Sequence, residues 1–273
     1  MLKQIKYDLM VIIKRDRLLT MILFLVLAAS FISFSFYYRR NISSIGEFTN
    51  AFFLFSAKDT PIPSLFMYLL PLLVVIPHAD INFIEENLKS QLFMKVTKKV
   101  YYISKAITTF LAGFLTVAIF LSFVYIFMLV MLRSNTTYFP IQSGYYPNDP
   151  VNSELLFDTI YFNFPVLYNV FYILLIGVYG GFLAVIAYCF SLMIKSKPFV
   201  YLSSFFVSIL CALFPILFHN GIGVWAPQNI FLPIPITASY PGIFSIPLGM
   251  VFWFSLFTIF IVWVITHQIR TEE

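Results

Sequence analysis

The chain has 273 residues, of which 60% are hydrophobic and only 11% are charged. A soluble domain carries roughly 25% charged residues, so this composition excludes an ordinary soluble protein and predicts an integral membrane protein. The net charge of +5 does not indicate nucleic-acid binding, because the positive residues divide unequally between the two sides of the predicted membrane, as shown below.

Residues 2–17 form a basic amphipathic stretch. Apolar residues recur there at helical spacing, whereas the lysines and arginines lie mostly off that stripe. The pattern is typical of a helix lying in the membrane interface, in contact with lipid, and a solvated N-terminal tail is the alternative. The apolar stripe consists of Leu2, Ile5, Leu9, Ile12 and Ile13.

Six apolar segments follow, and each predicts a membrane-spanning helix. All but the second have the ~20 apolar residues that a helix needs to cross a bilayer. The second is shorter and is interrupted by Pro71 and Pro77. The predicted spans are 18–37, 64–78, 106–132, 166–194, 199–218 and 246–266.

The distribution of lysine and arginine predicts the orientation of these spans. Thirteen of the 17 Lys and Arg residues fall at the N-terminus, in the 79–105 loop, in the loop after the fourth span and in the C-terminal tail. Loops rich in Lys and Arg face the cytoplasm. Both termini are therefore expected to be cytoplasmic, as an even number of spans requires.

Residues 220–245 carry no charge and are mostly apolar, but they contain four prolines and three glycines. Such a segment cannot form a continuous spanning helix. We expect a re-entrant pair of short helices entering from the outside, with an ordinary interfacial loop as the alternative. No domain boundary is evident, so residues 1–273 are expected to form a single all-α membrane domain.

The stretch 80–105 is the longest charged run in the chain. Charge cannot face lipid, so this run is expected to face water, a protein partner or both. Residues 82–94 predict a short amphipathic cytoplasmic helix, with Phe83, Ile84, Leu88 and Leu92 on one face and a favourable Glu85–Lys89 pair. Such a helix either docks into a partner or floats on the inner leaflet.

Several kinds of chemistry are missing from the sequence. No glycine is followed by lysine, so the chain has no Walker A phosphate loop. The three histidines fall at three different span ends, so neither a metal site nor a catalytic site is predicted. The middle of each predicted span lacks Lys, Arg, Asp and Glu. This argues against ion-coupled transport and favours a machine whose energy comes from another subunit.

The cytoplasmic loop resembles that of type-2 ABC-transporter permeases, the membrane subunits of bacterial ABC exporters. The family loop has a glutamate, a small residue about four positions later, apolar positions, a basic turn and a lysine that opens the third span. The layout of the chain is also similar to that family, from the basic N-terminal helix to the broken segment before the last span. The matching positions here are Glu86, Ser90, Leu92-Phe93, Lys98-Lys99 and Ser104-Lys105.

This resemblance implies a function. Two permease subunits, identical or different, would pair with two separate ATPase subunits that bind the ATP, so this chain would hold no cofactor and would not itself be an enzyme. It would export its substrate across the bacterial plasma membrane, and the uncharged spans suit a hydrophobic or amphipathic substrate, such as a peptide or a lipid-like molecule. The coupling helix would dock on the ATPase through Phe83, Glu85, Glu86, Leu88, Lys89 and Leu92.

Two alternatives remain open. Adjacent glutamates at a membrane boundary, here Glu85 and Glu86, are similar to those of CPBP-type intramembrane proteases. That family has an arginine where this chain has Ser90, and a phenylalanine four residues before a histidine where this chain has Pro215. The other alternative is a membrane protein that transports nothing, such as an immunity protein or a sensor.

Overall fold

The structure is a computed structural model, and every element among the residues it describes is helical. The described residues are 2–13, 26–27, 30, 62–77, 81–132, 160, 164–217, 227–231 and 245–271. The helices are α1 (Leu2–Ile13), α2 (Ile62–Val75), α3 (Ile81–Ile84), a 3₁₀ helix (Glu86–Leu88), α4 (Lys89–Lys95), α5 (Lys98–Leu132), α6 (Pro165–Met193), α7 (Lys197–Leu217), α8 (Pro227–Ile230) and α9 (Ser245–Thr271).

Among the described residues, three helices are long and apolar enough to cross a membrane: α5, α6 and α9. This supports a helical, multi-pass membrane protein. Helices α2 and α7 coincide with the predicted second and fifth spans to within about three residues, although α2 has only 14 residues and includes Pro71. The predicted first span, 18–37, lies almost entirely outside the described residues, so the six-span topology and the cytoplasmic termini stay predictions.

Helix α6 is the centre of the bundle, and it packs against α2, α3, α5, α7 and α9. Its sequence is apolar on all sides, as expected for a helix surrounded by other helices or lipid. Most of its side chains from Ile176 to Cys189 are buried. The other long helices each keep one exposed apolar face.

Helices α5 and α6 approach each other closely along a line of small residues that we call the glycine seam: Gly113 of α5 and Gly177, Gly180 and Gly181 of α6. A Cβ atom placed on Gly113 would lie 2.6 Å from the Cβ atom of Ala184. A Cβ atom on Gly181 would lie 2.7 Å from the Phe110 ring. Small residues that let two helix backbones meet are a usual basis of helix packing in membranes.

The larger of the two hydrophobic cores contains many aromatic rings in contact, so we call it the aromatic core, and it includes a short segment from the predicted re-entrant region. Only 227–231 of the predicted 220–245 segment is described; α8 packs there against α2, α7 and α9. Phe231, which directly follows α8, is fully buried and stacks on Tyr179 with ring centroids 4.6 Å apart. The depth of this segment in a bilayer, and so its re-entrant character, stays a prediction.

Helix α1 packs on α5. Its residues Lys6, Tyr7 and Met10 are exposed, while Ile12 is buried. This agrees with the predicted apolar stripe but adds a residue to it, because Asp8 is also buried, with only 1% of its side chain exposed. Helix α1 is thereby fixed at the end of α5 that begins with Lys98.

Candidate functional site: a docking segment and the ion cluster beneath it

The predicted coupling helix is divided into three short pieces within residues 81–97, which we call the docking segment. The sequence predicts one helix over 82–94, but α3 ends at Ile84 and Glu85 adopts φ −90° and ψ 0° before the 3₁₀ helix begins. Helix α4 then runs to Lys95. A bend therefore occurs at Glu85, and it separates side chains that a continuous helix would place on one face.

The inward surface of the docking segment is anchored at both ends. Phe83 packs against the aromatic core, and Leu92 and Phe93 pack against Tyr101, Tyr102 and their neighbours. The Asn82 side-chain amide donates a hydrogen bond of 2.7 Å to the Ser191 carbonyl near the end of α6. These contacts hold the segment on α5 and α6 without using its outward side.

The outward surface is apolar with charged neighbours. Met94 is 86% exposed, Leu88 is 49% exposed and Ile84 is 45% exposed. Glu86 is exposed and Lys89 is partly exposed. Phe83, Ile84, Leu88 and Leu92 therefore do not share one face as the helical spacing predicts: Phe83 and Leu92 lie inward, and Ile84 and Leu88 lie outward. Met94 belongs to the exposed surface but is absent from the predicted docking residues.

Glu85 is the predicted docking residue whose side chain is tied most firmly to the bundle. Lys105 Nζ lies 2.5 Å from Glu85 Oε1, and the Tyr101 hydroxyl donates a hydrogen bond of 2.7 Å to Oε2. Tyr101 and Lys105 are four residues apart on α5, so both reach the same carboxylate from one helix face. Glu85 thus pairs with Lys105 and not with Lys89, the partner predicted from sequence.

Lys105 also binds a second carboxylate, on α1. Its Nζ atom lies 2.8 Å from Asp8 Oδ1, and both side chains are 1% exposed. The sequence predicts that the charged run faces water or a partner, but Lys105 faces two acids of its own chain. We call Asp8, Glu85, Tyr101 and Lys105 the ion cluster. It connects α1 to α5 and to the docking segment, both of which are far from α1 in sequence.

Asp8 is the one member of the ion cluster that lies outside the charged run 80–105, and the sequence analysis missed it. A signal for it exists, because Asp8 follows Ile5 by three residues and precedes Ile12 by four, which places it on the apolar stripe of α1. An acid on such a stripe requires a buried partner. The sequence does not identify that partner, since Lys105 lies 97 positions away.

Burial dominates the electrostatics of Asp8. Removal from water raises the pKa of Asp8 above its ordinary value of 3.8, the hydrogen bond and positive charge of Lys105 lower it by less, and the negative charge of Glu85 adds to the rise. Gln4 donates a further hydrogen bond of 3.2 Å to Asp8 Oδ1. Both donors therefore serve the same oxygen, and Oδ2 has no hydrogen-bond partner in the part of the chain that the structure describes.

The described residues contain no group of three or more His, Cys, Asp or Glu side chains arranged to hold a metal ion. Of the three histidines, His78 and His219 lie outside the described part of the chain, and His267 is exposed on α9 beside Trp263. Comparison with known protein families, with curated proteins and with solved structures gave no match to this chain.

Proposed function

We propose that this chain is the membrane subunit of an ATP-driven exporter and that a separate ATPase subunit docks on the outward surface of residues 81–97. The observation that carries the proposal is the exposed apolar surface of Ile84, Leu88 and Met94, which lies on a segment anchored from behind. Exposed apolar surface that is bordered by charge is typical of a protein interaction site. The resemblance to type-2 ABC permeases supports the same assignment.

The sequence supports an energy source outside this chain. The chain lacks a Walker A loop, so under this proposal a partner subunit binds and hydrolyses the ATP. Closure of two ATPase subunits would push on the docking segment and, through its anchors, on α5 and α6. A second permease subunit, identical or different, would complete the pathway in the bacterial plasma membrane.

The composition of the helices that could line such a pathway supports a proposal for the substrate class. Helix α6 contains no charged residue, and the only charged residue of α9 is Arg270, near its end. Apolar walls suit a hydrophobic or amphipathic substrate such as a peptide or a lipid-like molecule.

No specific observation favours the protease alternative, because Glu85 binds Lys105 and Tyr101 whereas Glu86 is exposed.

Co-purification tests the docking surface. The full chain is purified in mild detergent from its native membranes, and mass spectrometry identifies the bound soluble subunits. We expect a nucleotide-binding subunit at about one per permease, and we expect the Leu88→Ser, Met94→Ser double variant to lose most of it. The reason is that an exposed apolar anchor supplies much of the energy of a docking contact.

Two further variants sharpen the result. Met10→Ser removes an exposed methionine of α1 and is expected to retain the ATPase subunit, whereas Glu86→Lys reverses a charge of the docking surface and is expected to weaken binding. Reversal of Glu85 is a poor test, because a lysine there would face Lys105 inside the ion cluster. A folded wild-type chain that binds no nucleotide-binding subunit would contradict the proposal.

A further inference from the structure

The ion cluster carries a charge imbalance that its geometry does not correct. Two carboxylates, Asp8 and Glu85, share the single ammonium group of Lys105. If both acids are ionised, the cluster holds one excess negative charge. Asp8 and Lys105 are 1% exposed and Glu85 is 12% exposed, so water screens this charge poorly. Two carboxylates that share a buried site disfavour ionisation of one of them.

The hydrogen bonds indicate which acid accommodates the imbalance. Each oxygen of Glu85 accepts a hydrogen bond, one from Lys105 and one from Tyr101. Among the described residues, Asp8 accepts from Lys105 and Gln4 at Oδ1 alone, and its buried Oδ2 has no partner. A charged oxygen left without a donor costs more than a neutral hydroxyl in the same place. Asp8 is therefore the acid better suited to carry a proton.

We propose that the ion cluster is a proton-responsive latch between α1 and α5. In the latched state Asp8 carries one proton on Oδ2, which leaves Lys105 and Glu85 as a neutral pair and seats α1 on α5. Release of that proton to water restores the excess negative charge and loosens α1. The proton comes from the aqueous phase, and no other reactant is needed. The inference does not depend on the exporter role.

The direction of the pH response follows from linkage. The pKa of Asp8 is raised in the seated state, chiefly by burial. A group with the higher pKa in one state binds its proton more tightly there, so lower pH favours seating and higher pH favours release. The groups that face Asp8 from the described elements are Gln4 of α1, Lys105 and Tyr101 of α5, and Glu85 of the docking segment.

The test follows protonation and seating together in the full chain, reconstituted in lipid. Infrared spectroscopy from about pH 4 to about pH 8 detects the carbonyl band of a protonated carboxyl group. Hydrogen exchange of the α1 amides, corrected for intrinsic rates, reports seating. We expect the acid band to fade as pH rises and α1 protection to fall with it. The equilibrium constant for seating of α1 is expected to change about tenfold per pH unit, in the pH range between the pKa values that Asp8 has in the released and seated states.

Two matched variants assign the effect. Asp8→Asn keeps the acceptor at Oδ1 and is permanently neutral, so it should remove that acid band and make α1 protection independent of pH. Glu86→Gln removes an exposed acid of the docking segment and should preserve both wild-type responses. The proposal is overturned if Asp8→Asn retains the wild-type titration. It is also overturned, without any variant, if wild-type α1 protection rises with pH or stays constant.

Discussion

The glycine seam and the ion cluster lie eight residues apart on α5 and join it to its neighbours in opposite ways. At the seam, carbon atoms of α5 and α6 meet so closely that a methyl group on Gly113 would overlap Ala184. At the cluster, carboxyl oxygens of Asp8 and Glu85 meet the ammonium group of Lys105 at hydrogen-bond distances. The seam depends on shape alone, whereas the cluster depends on protons and charge.

This difference predicts that the glycine seam and the ion cluster respond differently to pH and to mutation. Packed carbon surfaces do not sense pH or ionic conditions, and they fail when volume is added. A buried ion cluster tolerates little loss of one charge but tolerates the removal of all its charges together. The seam should therefore act as a fixed joint of the bundle, and the cluster as an adjustable attachment for α1 and the docking segment.

The largest expected effect is that of Lys105→Met. This change leaves the largely buried acids Asp8 and Glu85 without a cation, and we expect the free energy of unfolding to fall by about 4 kcal/mol. Denaturant titration in lipid–detergent micelles measures the loss. The triple variant Asp8→Asn, Glu85→Gln, Lys105→Met should recover most of the stability, because no unpaired charge remains. A triple variant as unstable as Lys105→Met would show that shape, and not charge, governs the cluster.

The second largest expected effect is that of Gly113→Leu, which should lower the free energy of unfolding by about 3 kcal/mol in the same titration. The leucine side chain has no space between α5 and α6, so the helices must separate. The control is Ser122→Leu on the same helix, where Ala118, Ile119, Phe123 and Ile126 border an open groove. Comparable losses for the two leucines would contradict the close approach at the seam. Neither loss should depend on pH.

The smallest expected effect is that of Tyr101→Phe, at about 1 kcal/mol. The phenyl ring keeps its contacts with Phe93 and Tyr102, and only the hydrogen bond to Glu85 Oε2 is removed. Tyr7→Phe, at an exposed tyrosine of α1, serves as the control and should leave stability unchanged. A loss for Tyr101→Phe that approaches that of Lys105→Met would mean that the hydroxyl, not the ammonium group, organises Glu85.

The sequence predicts the long helices well because a single property determines them. Continuous apolar composition places the predicted fourth span at 166–194, and α6 runs from Pro165 to Met193. The start of α5 is predicted less well, at 106 instead of Lys98. Hydropathy marks the part of a helix that enters lipid, and α5 continues through basic residues that lie outside that part.

The site is predicted only in outline. The charged run and its amphipathic character are visible in the sequence, but the bend at Glu85 is not, because it accompanies hydrogen bonds to Tyr101 and Lys105, 16 and 20 positions away. Helical periodicity assumes that a side chain follows its local helix. Here the tertiary contacts of Glu85 interrupt the helix. Ile84 and Leu88 therefore lie outward while Phe83 and Leu92 lie inward, although the helical pattern predicts all four on one face.

The length of α5 has a mechanical consequence. Its 35 residues span about 52 Å at 1.5 Å per residue, well beyond the ~30 Å of a bilayer core. Gly113, clasped against α6, lies about 22 Å from the Lys98 end and about 28 Å from the Leu132 end. A stiff helix that turns about its point of closest contact behaves as a lever, with its pivot here at Gly113. A rotation of α5 about Gly113 would thus move the Lys98 end, which directly follows the docking segment, and the Leu132 end in opposite directions, the Leu132 end through a slightly larger arc.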